Sequence, residues 1–360
     1  MSLIDLPSTR AEAWRWSDLS ALPGFAEARA GKADLDTLPW LACEEQGPRL
    51  LFVDGQLAAA HSAQGPLTIG PVDAPARDHP LAKLAGRDGW TLKLGRDHAP
   101  AGLIQIIHIS TGAADHLAAA VALDVDAQAS IVETFIGTGW SNRVSSLTLA
   151  KGARLMLGRR LLGEAGFVSL TDRAEIGEGA SLVVTTLAAG GGDSRLDGEV
   201  AIVGEAGFVE IGGPLLARGR QRHDVNLVVR HDAVGGMSRQ LWRSVADDHA
   251  TCAVAARVEV ARGAQKSDGE QSLKGLLLSR SATINAKPEL EIFADDVKCA
   301  HGATVGELDR NALFYLASRG IADAEAKALL TRAFVADAID RIGETAVREA
   351  FHADATRWLG

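Results

Sequence analysis

The chain has 360 residues, of which 47% are hydrophobic, so it can bury a large core. Its net charge of −9, with lysines and arginines scattered along the sequence, argues against nucleic acid or an anionic membrane surface as the main partner. No apolar run approaches the ~18 residues of a membrane span, and the start of the chain lacks the pattern of a secretory signal. The three cysteines, Cys43, Cys252 and Cys299, are far apart and odd in number, which favours a reducing cytoplasm over a disulfide framework.

The N-terminal segment, 1–100, predicts a mixed α/β cap. Ser8 is suited to begin a helix that runs through Trp14 and Leu19. Two strands, 49–53 and 56–60, follow, and they are joined by Asp54-Gly55, a dipeptide typical of a tight hairpin turn.

The segment 101–304 predicts a β-helix core. Short Val/Ile/Leu runs alternate with Gly, Asp and Ala, and a motif of a polar residue, then Ala or Gly, then a strand recurs. Its small residues lie at the nearly evenly spaced positions 129, 153, 180 and 207, with a fainter copy at 280–284. Strand-only repeats of this length indicate stacked units, because one unit cannot bury its own apolar face. A β-sandwich is the alternative, but the even spacing favours a solenoid.

The segment 305–360 predicts a small C-terminal helical domain of three helices. Helical spacing begins near Glu307 and continues to Gly320, where a C-terminal cap is expected. Two more helices follow, one over 323–342 and one that begins at Thr345. We expect these helices to cover the open end of the solenoid. Their apolar residues exceed what three short helices can bury among themselves, which predicts one apolar stripe for a partner.

The most informative segment is KPELEIFADDVKCAHGATVG, which begins at Lys287. Pro288 lacks an amide donor, so it suits an edge strand or the start of a strand. The alternation that follows predicts a half-buried strand. A second extended run would place Val297, Cys299 and His301 on one face.

Cys299 and His301 are the only local pair of soft or borderline metal ligands. A cluster or tetrahedral metal needs about four ligands, so two cannot hold one alone. On spacing alone, the commoner explanation is a small buried thiol and a hydrogen-bonded histidine. The other two cysteines are interpreted as structural. The clusters 221–224, 230–232 and 247–249 are interpreted as solvated turns without catalytic geometry.

This segment, together with LFYLASRGI further on, closely resembles the SufD family, the non-catalytic scaffold subunit of the SUF iron–sulfur assembly machinery. The N-terminal PSTRAEAWRWSDLSAL is also similar to that family's opening. The resemblance implies a mainly β fold, a right-handed parallel β-helix (solenoid) between the mixed cap and the helical domain. It also implies that His301 supports cluster assembly at an interface with a SufB subunit, with Cys299 as its neighbour there.

The same resemblance implies the partners and the cargo. A SufB-like subunit would pair with the last solenoid coils, and a SufC-like ABC ATPase would bind the C-terminal helices. ATP-driven association of two SufC subunits would strain the junction and expose its ligands. A transient iron–sulfur cluster or iron would form at the interface, and none would stay bound to the isolated chain. SufB carries its cluster-building cysteine upstream of this motif, whereas the region 271–277 here has none, which points to the non-enzymatic SufD type.

Two other functions stay open from the sequence. A carbohydrate-active β-helix enzyme would need convergent carboxylates or a basic residue beside aromatic platforms, and the central region has few aromatic residues. A metal-free structural solenoid is the other alternative. Co-purification with an ATPase separates the SufD-like function from both.

Overall fold

The computed structural model describes residues 6–72 and 78–360. The protein is mainly β and forms a parallel β-solenoid of about eight turns with small C-terminal helices. The strands are β1 Gln46–Val53, β2 Gln56–Leu57, β3 Leu67–Pro71, β4 Asp88–Leu94, β5 Leu103–Ser110, β6 Ala114–Leu123, β7 Gln128–Gly137, β8 Trp140–Leu149, β9 Arg154–Leu161, β10 Phe167–Ile176, β11 Ser181–Ala188, β12 Asp193–Ile202, β13 Phe208–Ala217, β14 Arg222–His231, β15 Met237–Ala246, β16 Thr251–Val260, β17 Asp268–Leu277, β18 Thr283–Ile292 and β19 Lys298–Glu307. The α-helices are α1 Leu22–Glu27, α2 Arg310–Ser318, α3 Asp323–Ile339 and α4 Thr345–Leu359.

Consecutive strands of the solenoid enter two different sheets. Sheet A has the order β19-β17-β15-β13-β11-β9-β7-β5-β1-β2, and sheet B has the order β18-β16-β14-β12-β10-β8-β6-β4-β3. Neighbouring strands are parallel except for the pairs β1–β2 and β3–β4. Each coil therefore gives one strand to each sheet, and the apolar inner faces of both sheets form one continuous core. This arrangement confirms the solenoid and excludes the sandwich, in which strands are mainly antiparallel.

The sequence repeat marks one corner of the solenoid. Gln128, Arg154, Ser181 and Phe208 are in register on successive strands of sheet A, and a small residue precedes each of them. The first small residue is therefore Ala127, so the predicted position 129 is wrong. The segment 280–284 opens a strand of sheet B, so it is not part of this series. Small residues are needed because the corner is tight: a Cβ added at Gly207 would lie 2.8 Å from Ile202.

The N-terminal segment lies against the solenoid rather than forming the predicted helix. A 3-10 turn over Glu12–Trp14 and the short α1 replace the helix expected from Ser8 to Leu19. Trp14, Leu19 and Leu22 pack on Trp140 and Phe167 of sheet B, and this packing decides the local conformation.

The predicted hairpin is confirmed, but its second strand ends at Leu57 and not at residue 60, because a 3-10 turn over Ala59–His61 follows. β1 and β2 are antiparallel, and Asp54 and Gly55 have φ of 45° and 75°, as a tight two-residue turn requires. β1 and β4 also pair with β5 and β6, so both sheets continue across residue 100.

The helices α3 and α4 do not cover the open end of the solenoid, so that expectation is wrong. They lie along the outer face of sheet A, where outward-facing apolar side chains from β5 to β17 meet theirs; the buried members are Leu103, Val132, Leu187, Leu216, Val245, Leu276, Val335, Ile339, Ile342, Val347, Phe351, Ala355 and Trp358. Arg160 on β9 also forms a buried two-point ion pair with Asp354 on α4. The surplus apolar surface of the helices therefore mainly covers the solenoid itself.

Candidate functional site at the open end of the solenoid

The last coil has no covering element within the described residues. β18 and β19 each pair with a strand on one side only, β16 and β17 respectively. No residue of β18 is fully buried, and Cys299 is the only residue of β19 that is not exposed. Pro288 lies in β18, as its missing amide donor predicted for an edge strand. The polypeptide edge and the inner face of this coil are therefore available to another protein.

Cys299 and His301 lie two positions apart on β19, so both face the same side of the sheet, about 6.6 Å apart along the strand. Their register partners on β17 are Gly269 and Gln271. The Gln271 side chain reaches across to the Ala256 carbonyl of sheet B, so this side is the inner face of the coil. The structure thus brings the two predicted ligands together at the open end.

Cys299 is half-buried in a small apolar cluster that includes Leu290 and Val297. Gly269 gives its thiol room, because a Cβ added there would lie 3.4 Å from Cys299 Sγ and 3.3 Å from Val258. Burial raises the pKa of the Cys299 thiol, and Asp268 adds to the rise, whereas the Gly269 amide lowers it. The isolated chain therefore holds this residue as a thiol, and a nearby cation would be needed to favour the thiolate.

His301 is exposed, and its ring makes no hydrogen bond to any described residue. The sequence alone favours a small buried thiol beside a hydrogen-bonded histidine. Cys299 fits that description better than His301 does. A neutral imidazole at this position can present a nitrogen lone pair to an incoming ligand or metal.

The other thiols do not join this pair. Cys252 is fully buried in β16, where burial raises its pKa to about 12, and Cys43 lies beside Gln105 on β5. Within residues 6–72 and 78–360, no group of three or more His, Cys, Asp or Glu side chains could hold a metal ion. The open coil therefore offers two donors, and any complete site needs ligands from elsewhere.

Two of the clusters interpreted as solvated turns lie in a strand instead. His223 and His231 are buried side chains of β14 that face the inside of the solenoid, on the same side as Val225. Asp224 is buried on the outer face, where Ser17 of the N-terminal segment donates a hydrogen bond to it. His231 shares a hydrogen bond with Ser238 at 2.8 Å. The segment 247–249 is a turn, as expected, and Asp248 has a φ of 53° there.

A second candidate surface lies on α2. Phe314 and Tyr315 are 77% and 56% exposed, whereas the apolar residues of α4 are buried against sheet A. Large aromatic side chains at such exposure are typical of a protein–protein contact. These two residues belong to the part of the predicted apolar stripe that the solenoid does not cover.

Comparison with known proteins identifies the family. The family model described as "SUF system FeS cluster assembly, SufBD core domain" matches residues 107–334, from β5 into α3, which includes the open coil. The chain belongs to the SufBD family. The predicted resemblance is therefore confirmed.

Relatives of this SufBD chain match over most of its length. It is 27% identical to an iron–sulfur cluster assembly SufBD family protein of Synechocystis, covering 94% of this chain and 84% of the relative. It is 25% identical to the iron–sulfur cluster assembly protein SufD of Escherichia coli, covering 96% and 87%. A shorter match at 29% identity, over 42% of this chain and 35% of the relative, is with SufD of Bacillus subtilis. No helix among the described residues is long and apolar enough to span a membrane.

Sequence reasoning missed the residues behind the pair. Gly269 and Gln271 precede Cys299 and His301 by one full coil of the solenoid. The intervals between the small residues of the sequence repeat are shorter than the last coil of the solenoid. Counting along the sequence by those intervals therefore does not pair Gly269 with Cys299 or Gln271 with His301. Only the register of the strands shows which side chains stack.

Proposed function

We propose that this chain is a SufD-like scaffold subunit of a SUF iron–sulfur assembly complex, without catalytic activity of its own. The observation that carries the proposal is the open last coil of a SufBD-family solenoid, which presents Cys299 and His301 side by side. The three free cysteines support a reducing compartment such as the cytoplasm.

A SufB-like subunit would pair with this open end. An exposed strand edge is a ready template for another strand, and main-chain hydrogen bonds across it supply affinity. The partner would also supply the ligands that the two donors lack. Iron or a nascent iron–sulfur cluster would be held at the junction only transiently, as cargo. The isolated chain would bind no stoichiometric cluster, and a stable visible-absorbing cluster after anaerobic reconstitution of this chain alone would contradict the proposal.

A SufC-like ABC ATPase would bind α2. Phe314 and Tyr315 are exposed there, and burial of a large aromatic side chain is a common source of binding energy at interfaces. Deleting the chain after Gly320 is a poor test, because it would uncover the apolar outer face of sheet A. Point variants on α2 avoid that problem.

The partner assignments are tested by co-expressing this chain with candidate SufB-like and SufC-like chains and measuring co-purification. Phe314→Ser with Tyr315→Ser should abolish recovery of the ATPase and leave the SufB-like subunit bound. Leu329→Ser, at a 43% exposed residue of α3, is the matched control and should retain both. Wild-type recovery of the ATPase by the α2 variant would show that its binding surface lies elsewhere.

The ligand role is tested with His301→Ala in the assembled complex. The complex should form and melt nearly as the wild type does, because the ring is exposed, whereas the yield of cluster should fall sharply. Cys299→Ser is the comparison, since it nearly preserves volume and removes the soft sulfur. A cluster yield equal to that of the wild type would end the ligand role of His301 and leave family and fold unaffected.

The carbohydrate-active alternative has less support. On the outer face of sheet B, where a saccharide groove would need free carboxylates, charged groups pair with one another. These pairs are Arg230–Glu199, Arg257–Glu259 and Lys287–Glu289.

A further inference from the structure

One inward-facing column of sheet A changes from apolar to polar as it approaches the open end. The residues stack in register on successive strands from β5 to β19; they are Ile104, Ile131, Leu157, Val184, Ile211, Gln240, Gln271 and His301. The first five coils carry aliphatic side chains at this position, and the last three carry polar ones. Apolar packing alone would have continued the aliphatic series.

In Gln240 and Gln271, only one of the two polar atoms of the side-chain amide has a hydrogen-bond partner. Both residues are 1% exposed. Gln271 Nε2 donates to the Ala256 carbonyl at 2.7 Å, and Gln240 Nε2 donates to the Arg257 carbonyl at 3.1 Å. The Oε1 atoms of both are buried without a hydrogen-bond donor among the described residues. A buried acceptor left in this state has lost its hydration without compensation, so it calls for a donor.

The hydrogen bond to the Ala256 carbonyl fixes the orientation of the Gln271 amide. Turning the amide over would place Oε1 against the Ala256 carbonyl oxygen, so the group keeps its donor on that carbonyl and offers only an acceptor elsewhere. The side chain next to it on β19, at the ~4.8 Å spacing of adjacent strands, is His301. The His301 ring is exposed and makes no hydrogen bond to any described residue.

We propose that Gln271 is a positioning residue for His301. Its Oε1 accepts a hydrogen bond from one ring N–H of His301, which selects one tautomer and leaves the other ring nitrogen as a lone-pair donor at the open end. An acceptor behind a metal-binding histidine fixes both the orientation of the ring and its basicity as a ligand. The role toward iron rests on the proposed function, whereas the selection of a tautomer does not.

The test uses the full chain with ¹⁵N-labelled histidine at pH 8, where neutral rings report their tautomer through the two nitrogen shifts. His301→Gln assigns the resonances. We expect one dominant tautomer in the wild type and a mixture of two in Gln271→Leu. Gln240→Leu is the matched control, because it removes the same buried amide one coil further from His301, and it should leave the tautomer unchanged.

If the wild type and Gln271→Leu give the same tautomer ratio, the proposal is overturned. A Gln271→Leu chain that does not fold is replaced by Gln271→Met, which has nearly the volume of glutamine and lacks the acceptor; its ratio then decides in the same way.

In the assembled complex, Gln271→Leu should lower cluster yield about 10-fold or more. One outcome is that Gln271→Leu changes the tautomer ratio whereas His301→Ala keeps the wild-type cluster yield. That outcome would refute the ligand role of His301 and support the positioning by Gln271. The opposite outcome is that His301→Ala loses cluster yield whereas Gln271→Leu keeps the wild-type tautomer ratio. It would refute the positioning by Gln271 and leave the ligand role of His301 intact.

Discussion

At the scale of single residues, the inside of the solenoid holds charged groups that a hydrophobic pattern does not predict. His108, Glu133, Arg159 and Asp172 form one chain of contacts, in which the Arg159 guanidinium bonds both carboxylates. Burial, followed by the nearby Arg143, lowers the pKa of His108 to about 4. The network is buried because its members pair with one another, as buried charges must.

The buried histidines predict a loss of stability in mild acid. Burial is the main cause that lowers the pKa of His108, His116 and His223 from about 6.5 to about 4. The unfolded chain therefore binds more protons than the folded one as the pH falls from 6.5 towards 4. The free energy of unfolding should be highest above pH 6.5, and each histidine should remove up to about 1.4 kcal/mol per pH unit within that interval.

The experiment is denaturant unfolding at a series of pH values between 7.5 and 5. Carboxyls of raised pKa, Asp193 and Asp224, change in the opposite direction, so the comparison must be made between variants. His223→Gln should have a shallower pH slope than the wild type, whereas His98→Gln, at an exposed side chain, should keep the wild-type slope. Equal slopes for His223→Gln and the wild type would contradict the assignment.

The candidate site could be predicted from the sequence only in part. The alternation around Cys299 and His301 predicted their shared face, and Pro288 predicted the edge strand. Gln271 could not be found, since it stands one coil earlier in the chain and is adjacent only through strand register. The charged interior could not be found either, because inward-facing charges such as Glu133 interrupt the apolar pattern on which sequence analysis relies.

At the scale of elements, α4 is held to the solenoid by a buried ion pair as well as by apolar packing. The Arg160 guanidinium bonds Asp354 at 2.7 and 3.1 Å, and it also donates to the Pro39 carbonyl. One side chain of β9 therefore connects α4, sheet A and the N-terminal segment. An amphipathic helix pattern predicts that one face is buried but not which surface buries it, so it does not distinguish the outer face of sheet A from the open end of the solenoid.

Removing one member of this pair predicts a large loss of stability. Asp354→Ala leaves the Arg160 charge buried and unpaired, which should cost about 3–5 kcal/mol in the free energy of unfolding. Asp323→Ala is the matched control, since its i,i+4 pair with Lys327 is exposed and should change stability by no more than about 0.5 kcal/mol. Denaturant unfolding gives both values, and hydrogen exchange should show α4 as the element that loses protection. Equal stabilities of the two variants would show that apolar packing alone holds α4.

At the scale of the whole molecule, the solenoid is covered over parts of its sides and open at one end. The N-terminal segment packs on sheet B and continues to the outer face of sheet A, and α3 and α4 cover more of sheet A. Among the described residues, nothing covers the strand edge at β18 and β19. Because each coil of a solenoid is stabilised only by its neighbours, the last coil is the one whose stability gains most from a partner.

Because that end of the solenoid is open, a substitution there should weaken binding of the SufB-like subunit without changing the stability of the isolated chain. Ala303 is exposed on the inner-facing side of β19, so Ala303→Lys should leave the melting temperature of the isolated chain nearly unchanged. In a complex through the open end, the new ammonium group would be buried without a partner. A cost of about 3 kcal/mol or more would then weaken binding of the SufB-like subunit roughly 100-fold, which titration of the two purified chains measures.

The control for this variant is Val203→Lys, at a 50% exposed corner residue after β12, and it should bind the SufB-like subunit as the wild type does. Recovery of the SufC-like ATPase should persist in Ala303→Lys, because α2 presents its aromatic side chains on an element separate from the strand edge. If Ala303→Lys binds the SufB-like subunit with wild-type affinity, the partner does not use the inner face of the last coil, and the open end needs another explanation.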